Sequence, residues 1–250
     1  MAPVTLYDIP SRDEQGCWSY NPWKTRLVFN YKGIDYDTEW LEYPDIASTL
    51  RSKGIPPSDE NPGYHVPPIR IENRYIMDSE EIAAALEDYA PDPSLRLDAE
   101  VLSQIEALIP EIRAALLPEW MPRIQQNVLA SKSKDCFERT RSEKLGMPLD
   151  QLQKEKGGEQ YWQAVQPVLI ELASLVNQTD GLFFLGGEEN ISCEMLLITI
   201  PLSYADFLLV SMFYFMGRAD PKLLDRLLGY DAALKAPYDA CGKYFERSNW

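Results

Sequence analysis

Positive charge is scarce in this chain: 24 Lys+Arg stand against 39 Asp+Glu, a formal net charge of −15. That leaves no general basic surface to displace counterions from a nucleic-acid backbone or to settle on an anionic membrane face, so neither is an expected partner. Histidine occurs once, at His65, with no triad signal around it. Cys17, Cys136, Cys193 and Cys241 form neither a CxxC pair nor a metal quartet, and they read as reduced thiols of a cytoplasmic protein with no metal. A long apolar run is also missing. Residues 195–216 come nearest, but Pro201, Ser203 and Asp206 interrupt them, which predicts two buried segments in place of one membrane span. The first residues lack the charged and apolar regions of a signal peptide. Internal repeats and low-complexity tracts are absent. What remains is an ordinary globular composition, 45% apolar and 25% charged over 250 residues, with room for one large domain or two small ones.

The first ninety residues alternate strand and helix signals. Residues 4–7 are short and β-prone, residues 23–31 have helical spacing, residues 36–41 are again β-prone, and an irregular helix is expected over 44–53. A polar stretch over 54–64 reads as a long loop. Two apolar runs, 68–71 and 75–77, flank Glu72, Asn73 and Arg74, a three-residue connection suited to a hairpin. Asp78 and Ser79 then precede Ile82, Ala83, Leu86 and Tyr89, an amphipathic helix with capping residues in front. The predicted order is β-α-β-α-β-β-α. Pro91, Asp92, Pro93 and Ser94 cannot continue a helix and read as a linker.

Beyond residue 98 the strand signals nearly vanish. Val101, Ile105, Leu108, Ile109 and Ile112 mark one helical face, and Val165, Val168, Leu169, Leu172 and Val176 mark another. Residues 130–158 are charged and read as a solvated helix followed by a loop through Gly157 and Gly158. Ser203 and Asp206 form an S-x-x-D capping box before an apolar helix in which Tyr204, Phe207, Phe213, Tyr214 and Phe215 read as core. The division is therefore residues 1–90, α/β; 91–98, linker; and 99–250, all-helical.

Four local motifs, in order, carry a resemblance to a known family. They are Asn21-Pro22-Trp23-Lys24-Thr25-Arg26, His65-Val66-Pro67-Pro68-Ile69, Asp78-Ser79, and Ser203-x-x-Asp206. They resemble, respectively, the S-P-F-x-x-R start of the first helix, the V-P-x-L segment, the Glu-Ser pair before the third helix and the sixth-helix capping box of cytosolic glutathione transferases. The longer string over residues 17–33, followed by 40–46, is similar to the fungal-specific A class, relatives of the bacterial lignin β-etherases whose members bind plant polyphenols. The resemblance covers nearly the whole chain. It implies a thioredoxin-like N-terminal domain that binds glutathione and a helical C-terminal domain that shapes a hydrophobic ligand site.

It also implies site residues. A free thiol with a pKa of about 8.5 is a poor nucleophile at pH 7, so a glutathione site must favour the thiolate. The helix start at residues 19–23 offers a positive dipole end. Ser19 or Asn21 is the expected hydrogen-bond donor to the sulfur; this chain has Asn21 where the family carries serine. Pro22 fits the first helical position. Val66-Pro67, with a cis bond expected there, clamps the tripeptide backbone. Asp78 and Ser79 take the γ-glutamyl end, and Lys53 or His65 the glycyl carboxylate. Trp23, Trp120 and Met121 are expected to line the pocket for an aromatic or polyphenolic second ligand. Two rival roles accompany the enzyme reading: a non-catalytic ligandin, and a thiol transferase using Cys17. A homodimer is the expected assembly. The family passes quickly from a Phe-Leu-x-Gly segment, here residues 184–187, to the capping box, whereas this chain interposes residues 188–202, including the β-prone run 195–200.

Overall fold

A computed structural model describes residues 4–12, 16–57, 63–179, 181–186 and 202–247. The chain opens with β1 (Val4–Asp8), α1 (Tyr20–Lys32) and β2 (Tyr36–Trp40), continues through a short 3-10 turn (Tyr43–Asp45) and α2 (Ile46–Ser52), and completes its sheet with β3 (Pro68–Ile71) and β4 (Arg74–Met77) before α3 (Ser79–Tyr89). The strands form one four-stranded sheet in the order β2-β1-β3-β4. β1 runs parallel to β2 and antiparallel to β3, and β3 and β4 form a hairpin in which Ile71 pairs with Arg74. Its turn is therefore two residues, Glu72 and Asn73, one shorter than the sequence pattern suggests, because Glu72 takes a left-handed φ of 55° and lets Arg74 enter the ladder.

Helices follow: α4 (Glu100–Ala115), α5 (Leu117–Asn127), α6 (Ser131–Leu145), α7 (Leu149–Lys156), α8 (Glu159–Val176), α9 (Tyr204–Ala219), α10 (Pro221–Leu228) and α11 (Ala232–Ala240). The predicted order of the first half and the helical character of the second half both hold. The charged stretch over 130–158 is two helices, not one helix and a loop. The left-handed Gly146 (φ 72°) ends α6, and Pro148 precedes α7. Ser133 and Phe137 of α6 are buried, so that helix is only partly solvated.

One helix organises the interior. Thirteen of the sixteen residues of α9 are buried, so it sits between other elements, with only Tyr214, Gly217 and Arg218 half-buried along one edge. Its start carries the capping box. Asp206 accepts hydrogen bonds from the Ser203 N–H (2.8 Å), the Ser203 hydroxyl (2.7 Å) and the Phe184 N–H (3.1 Å). The linker is tied down as well: Lys32 donates to Glu87 (2.6 Å), the Ala90 carbonyl (2.6 Å) and the Pro93 carbonyl (2.9 Å), and Tyr204 N–H donates to the Leu95 carbonyl (2.8 Å). Of the unusual interposed segment only Leu202, which is buried, lies within the described residues; the run 195–200 falls outside them.

Asp8 and Arg26, both fully buried, join β1 to α1. Arg26 Nε donates to Asp8 Oδ2 (2.8 Å), and the two remaining guanidinium nitrogens reach the Tyr36 hydroxyl (3.2 Å) and Thr38 Oγ1 (3.0 Å) on β2. Asp8 Oδ1 accepts from the Ile9 N–H (2.6 Å). The arginine of the first motif is thus a structural strut. Removing one partner of such a buried pair strands the other charge, so Arg26→Met is expected to cost about 3–5 kcal/mol in urea unfolding, with part regained in the Asp8→Asn/Arg26→Met double variant. Single and double variants with additive losses would show that the pair is not coupled.

Candidate functional site

Two clefts meet where the sheet domain abuts the helices. The polar one, about 520 Å³, is bounded by the start of α1 (Tyr20, Asn21, Lys24), the segment His65, Val66 and Pro67, the start of α3 (Asp78, Ser79, Glu80) and one face of α4. That face is Glu106, Ile109, Pro110 and Arg113, spaced i, i+3, i+4, i+7, so a single helical stripe forms the wall. The apolar one, about 360 Å³, is lined by Trp18, Tyr43, Trp120, Met121, Phe137 and Phe215 among others. Tyr20, Asn21, His65, Val66 and Arg113 line both, and so mark the junction.

Two helix starts point at the polar cleft with no side-chain cap. Ser19 is the N-cap of α1, two residues earlier than the proline signal implies, so Pro22 sits third in the helix instead of first. Its side chain makes no capping bond, and since Pro22 has no N–H, Tyr20 and Asn21 carry the open backbone donors of that turn. Asp78, the N-cap of α3, likewise makes no side-chain capping bond, contrary to the expected cap. It holds φ 67° and ψ 133°, a strained backbone for a residue with a Cβ, and its carboxylate lies 3.2 Å from His65 Nε2. Behind it, the Tyr204 hydroxyl of α9 donates to the Ser79 carbonyl (3.0 Å) and fixes the start of α3 against the central helix. The Val66–Pro67 bond is cis.

The structure brings together Asn21, His65, Val66, Pro67, Asp78 and Ser79 around the polar cleft, and Ser19, Trp120 and Met121 around the apolar one. Three sequence expectations need correction. Trp23 is fully buried and lines neither cleft: its indole N–H donates to the Cys17 carbonyl (3.1 Å), and its ring packs on Tyr214 (4.6 Å between centroids) and Phe245 (4.8 Å), so it anchors the loop before α1 from beneath. Lys53 lines neither cleft, being held over the Tyr7 ring (5.3 Å) and against Glu39 (3.1 Å). Cys17 is fully buried, and burial, followed by the nearby Asp8 carboxylate, raises its thiol well above the ordinary range, which disfavours the thiolate that thiol transfer needs. Phe215, read as plain core, also lines the apolar cleft, where it packs against Trp18 and Trp120 (6.2 and 5.0 Å between centroids).

Several residues were not singled out from sequence. Lys24 lies over the Tyr20 ring (4.9 Å) and 3.9 Å from Glu80. Arg113 lies over Tyr20 (4.5 Å), Phe215 (5.6 Å) and Trp120 (5.9 Å), and its carbonyl accepts the Trp120 indole N–H (2.8 Å). Burial lowers the Arg113 pKa, with only Tyr20 opposing. A clue was present in the i, i+7 spacing of Glu106 and Arg113 beside the apolar face of α4, but a solvated edge gives the same pattern.

Burial lowers the Lys24 pKa from 10.5 to about 8, against the pull of Glu80 and with the repulsion of Arg113 adding to the fall. A lysine whose folded value is depressed opposes folding while protonated, so its contribution becomes more favourable as pH rises from about 8 toward 10.5. The stability of the wild type relative to Lys24→Met is expected to grow over that window by up to about 3 kcal/mol, read by urea unfolding. A flat or falling difference contradicts the burial of a charged amine here.

Comparison with known proteins gives this geometry its relatives. Residues 18–88 match the glutathione S-transferase N-terminal domain, and residues 105–227 match the glutathione S-transferase C-terminal domain. A glutathione S-transferase-like protein of Aspergillus flavus, ustS, is 31% identical over 236 residues, 89% of this chain and 83% of the relative. Among solved structures, a glutathione S-transferase of Ceriporiopsis subvermispora in complex with glutathione superposes with a TM-score of 0.80 at 27% identity, covering 97% of each chain. The glutathione transferase GSTFuA3 of Phanerochaete chrysosporium gives 0.79 at 26%, covering 98% of each. With both domains matched in order and a relative similar along most of its length, the chain belongs to the glutathione S-transferase family.

Proposed function

We propose that the protein binds glutathione as its thiolate in the polar cleft and transfers it to an aromatic or polyphenolic compound in the apolar cleft. The observation that carries this reading is the junction: five residues line both cavities, so a group held at the start of α1 faces a polar cleft on one side and an aromatic one on the other. Two helix starts without side-chain capping bonds suit two anionic groups of such a ligand, the sulfur at α1 and the γ-glutamyl carboxylate at Ser79 of α3. Asp78, paired with His65 at 3.2 Å, and Glu106 face the ammonium, and Val66 offers its backbone to the cysteinyl residue.

Asn21 lines both clefts whereas Ser19 lines only the apolar one, which favours the Asn21 amide as the donor to the sulfur. An amide accepts no proton at neutral pH. It lowers the thiol pKa by stabilising the anion, without acting as a base. That asymmetry also supports the second reading, a ligandin that holds a polyphenol beside glutathione with little turnover. Trp120 and Met121 serve either role.

Glutathione at 100 times its Kd is expected to stabilise the protein by about 2.7 kcal/mol; a melting temperature unmoved by it would overturn glutathione binding. With binding established, Asn21→Ala is expected to raise the bound thiol pKa by about one unit and to lower kcat/KM about tenfold or more, while Ser19→Ala leaves both nearly unchanged. The opposite ranking makes Ser19 the donor. Tight phenolic binding with no conjugation of any electrophilic aromatic would select the ligandin.

A further inference from the structure

The apolar cleft has an unusual polar complement. Among its described lining residues are two arginines, Arg113 and Arg141, and no aspartate or glutamate, in a chain whose net charge is −15. Arg141 donates to Thr140 (3.3 Å) and lies over Phe137 (4.8 Å) and Tyr43 (5.7 Å). Arg113 differs. Its Nε is buried without a hydrogen-bond partner, no ion pair meets its guanidinium among the described residues, and three aromatic rings surround it. A second orphan donor shares the cavity: the indole Nε1 of Trp18, a residue only 2% exposed, is also buried without a partner. Both flank Phe215, the Trp18 ring 6.2 Å from its centroid and the Arg113 guanidinium carbon 5.6 Å from it.

Buried donors without acceptors are costly, and here the unmet groups are N–H donors on two side chains that both line one aromatic cavity. A ligand that repairs both must bring oxygen acceptors. It must also bring a flat apolar body to fill the space between the rings. A neutral phenol supplies the body and one weak acceptor. A carboxylate supplies two oxygens in the plane that a guanidinium fork matches, and a charge that pairs with an otherwise uncompensated cation.

We propose that the apolar cleft is selective for aromatic carboxylates, the carboxylate being held by Arg113 and the Trp18 indole N–H while its ring packs among Trp18, Trp120 and Phe215. This rests on the reading of the cleft as the second-ligand site and narrows it from aromatic compounds in general to aromatic acids. Arg113 is a specificity-determining residue: it holds the ligand's charged end at the junction with the polar cleft and leaves the transfer chemistry to the sulfur. Arg141 adds a second positive field at the far wall over Tyr43 and Phe137.

The test is titration calorimetry at pH 7 with glutathione present, using 4-hydroxycinnamate, its uncharged amide and 4-vinylphenol. The wild type is expected to bind the acid at least about tenfold more tightly than the amide or the phenol, as a charge-assisted bond to a partly buried guanidinium would give. Arg113→Met is expected to abolish that preference while leaving the amide's affinity nearly unchanged, Arg113→Lys to keep part of it, and Trp18→Phe, which retains the ring, to reduce it severalfold. Equal wild-type affinity for acid, amide and phenol overturns the proposal but leaves the aromatic site standing. A wild type that binds glutathione and none of the three overturns both. Should Arg113→Met lose acid and amide alike, Arg113 is only packing, and the proposal also falls.

Discussion

Much of this molecule depends on one buried ion pair. Asp8 at the end of β1 and Arg26 in the second turn of α1 are both excluded from water, and the guanidinium spends its remaining donors on Tyr36 and Thr38 of β2. A pair that deep is favourable only when its other hydrogen-bonding capacity is met, and here one arginine meets it by bonding to two adjacent strands at once. The consequence reaches the site. With β1, α1 and β2 locked together, the connection between β1 and α1 has fixed ends, and the start of α1 has a fixed direction. Trp23 reinforces this by holding the Cys17 carbonyl from below. The open N–H groups at Tyr20 and Asn21 are aimed by interactions that lie outside the cleft.

The helical half supplies the other constraint. α9 is buried along most of its surface, and its capping box uses a single carboxylate to satisfy Ser203 and Phe184. From that fixed start the Tyr204 hydroxyl reaches the first residue of α3, and from further along the same helix Phe215 forms part of the apolar wall. One rigid element thus fixes both the start of α3 and part of the wall of the aromatic cleft. α4 completes the arrangement, placing Glu106 and Arg113 two turns apart on a stripe that closes the polar cleft.

The charge distribution gives the site its character. Glutathione is itself anionic, and a chain at −15 does not attract it over distance. Positive potential at the clefts is local, from two helix ends and from Lys24 and Arg113, cations placed over the Tyr20 ring beside the junction. Keeping them there has an electrostatic cost, visible in the Lys24 pKa lowered to about 8, and acidic neighbours such as Glu80 offset only part of it.

The local grammar of the chain was legible from sequence: the strand and helix order, the S-x-x-D cap and the pairing of an α/β half with a helical half. Each depends on neighbours within a few residues or on a periodic apolar face, and such signals survive in one dimension. The choice of Val66-Pro67 over Pro67-Pro68 as the cis bond, by contrast, came only through the family resemblance. The errors have a common cause. Trp23 and Phe215 are both aromatic residues at helical spacing, and only the crossing of α1 with α9 decides that the first is sealed beneath the loop while the second borders a cavity. Lys53 was one candidate for the glycyl carboxylate until folding set it on Tyr7 beside Glu39, and thiol transfer at Cys17, only a rival reading, lost its basis once folding removed the sulfur from water. Arg113 carried only an ambiguous signal, because a cation on a helix reads the same whether it meets solvent or three rings from α1, α5 and α9. By itself the sequence determined which elements form and which family pattern they follow. The tertiary structure alone decided which side chains share a cavity, since burial and partnership come from segments nearly two hundred residues apart meeting at one point.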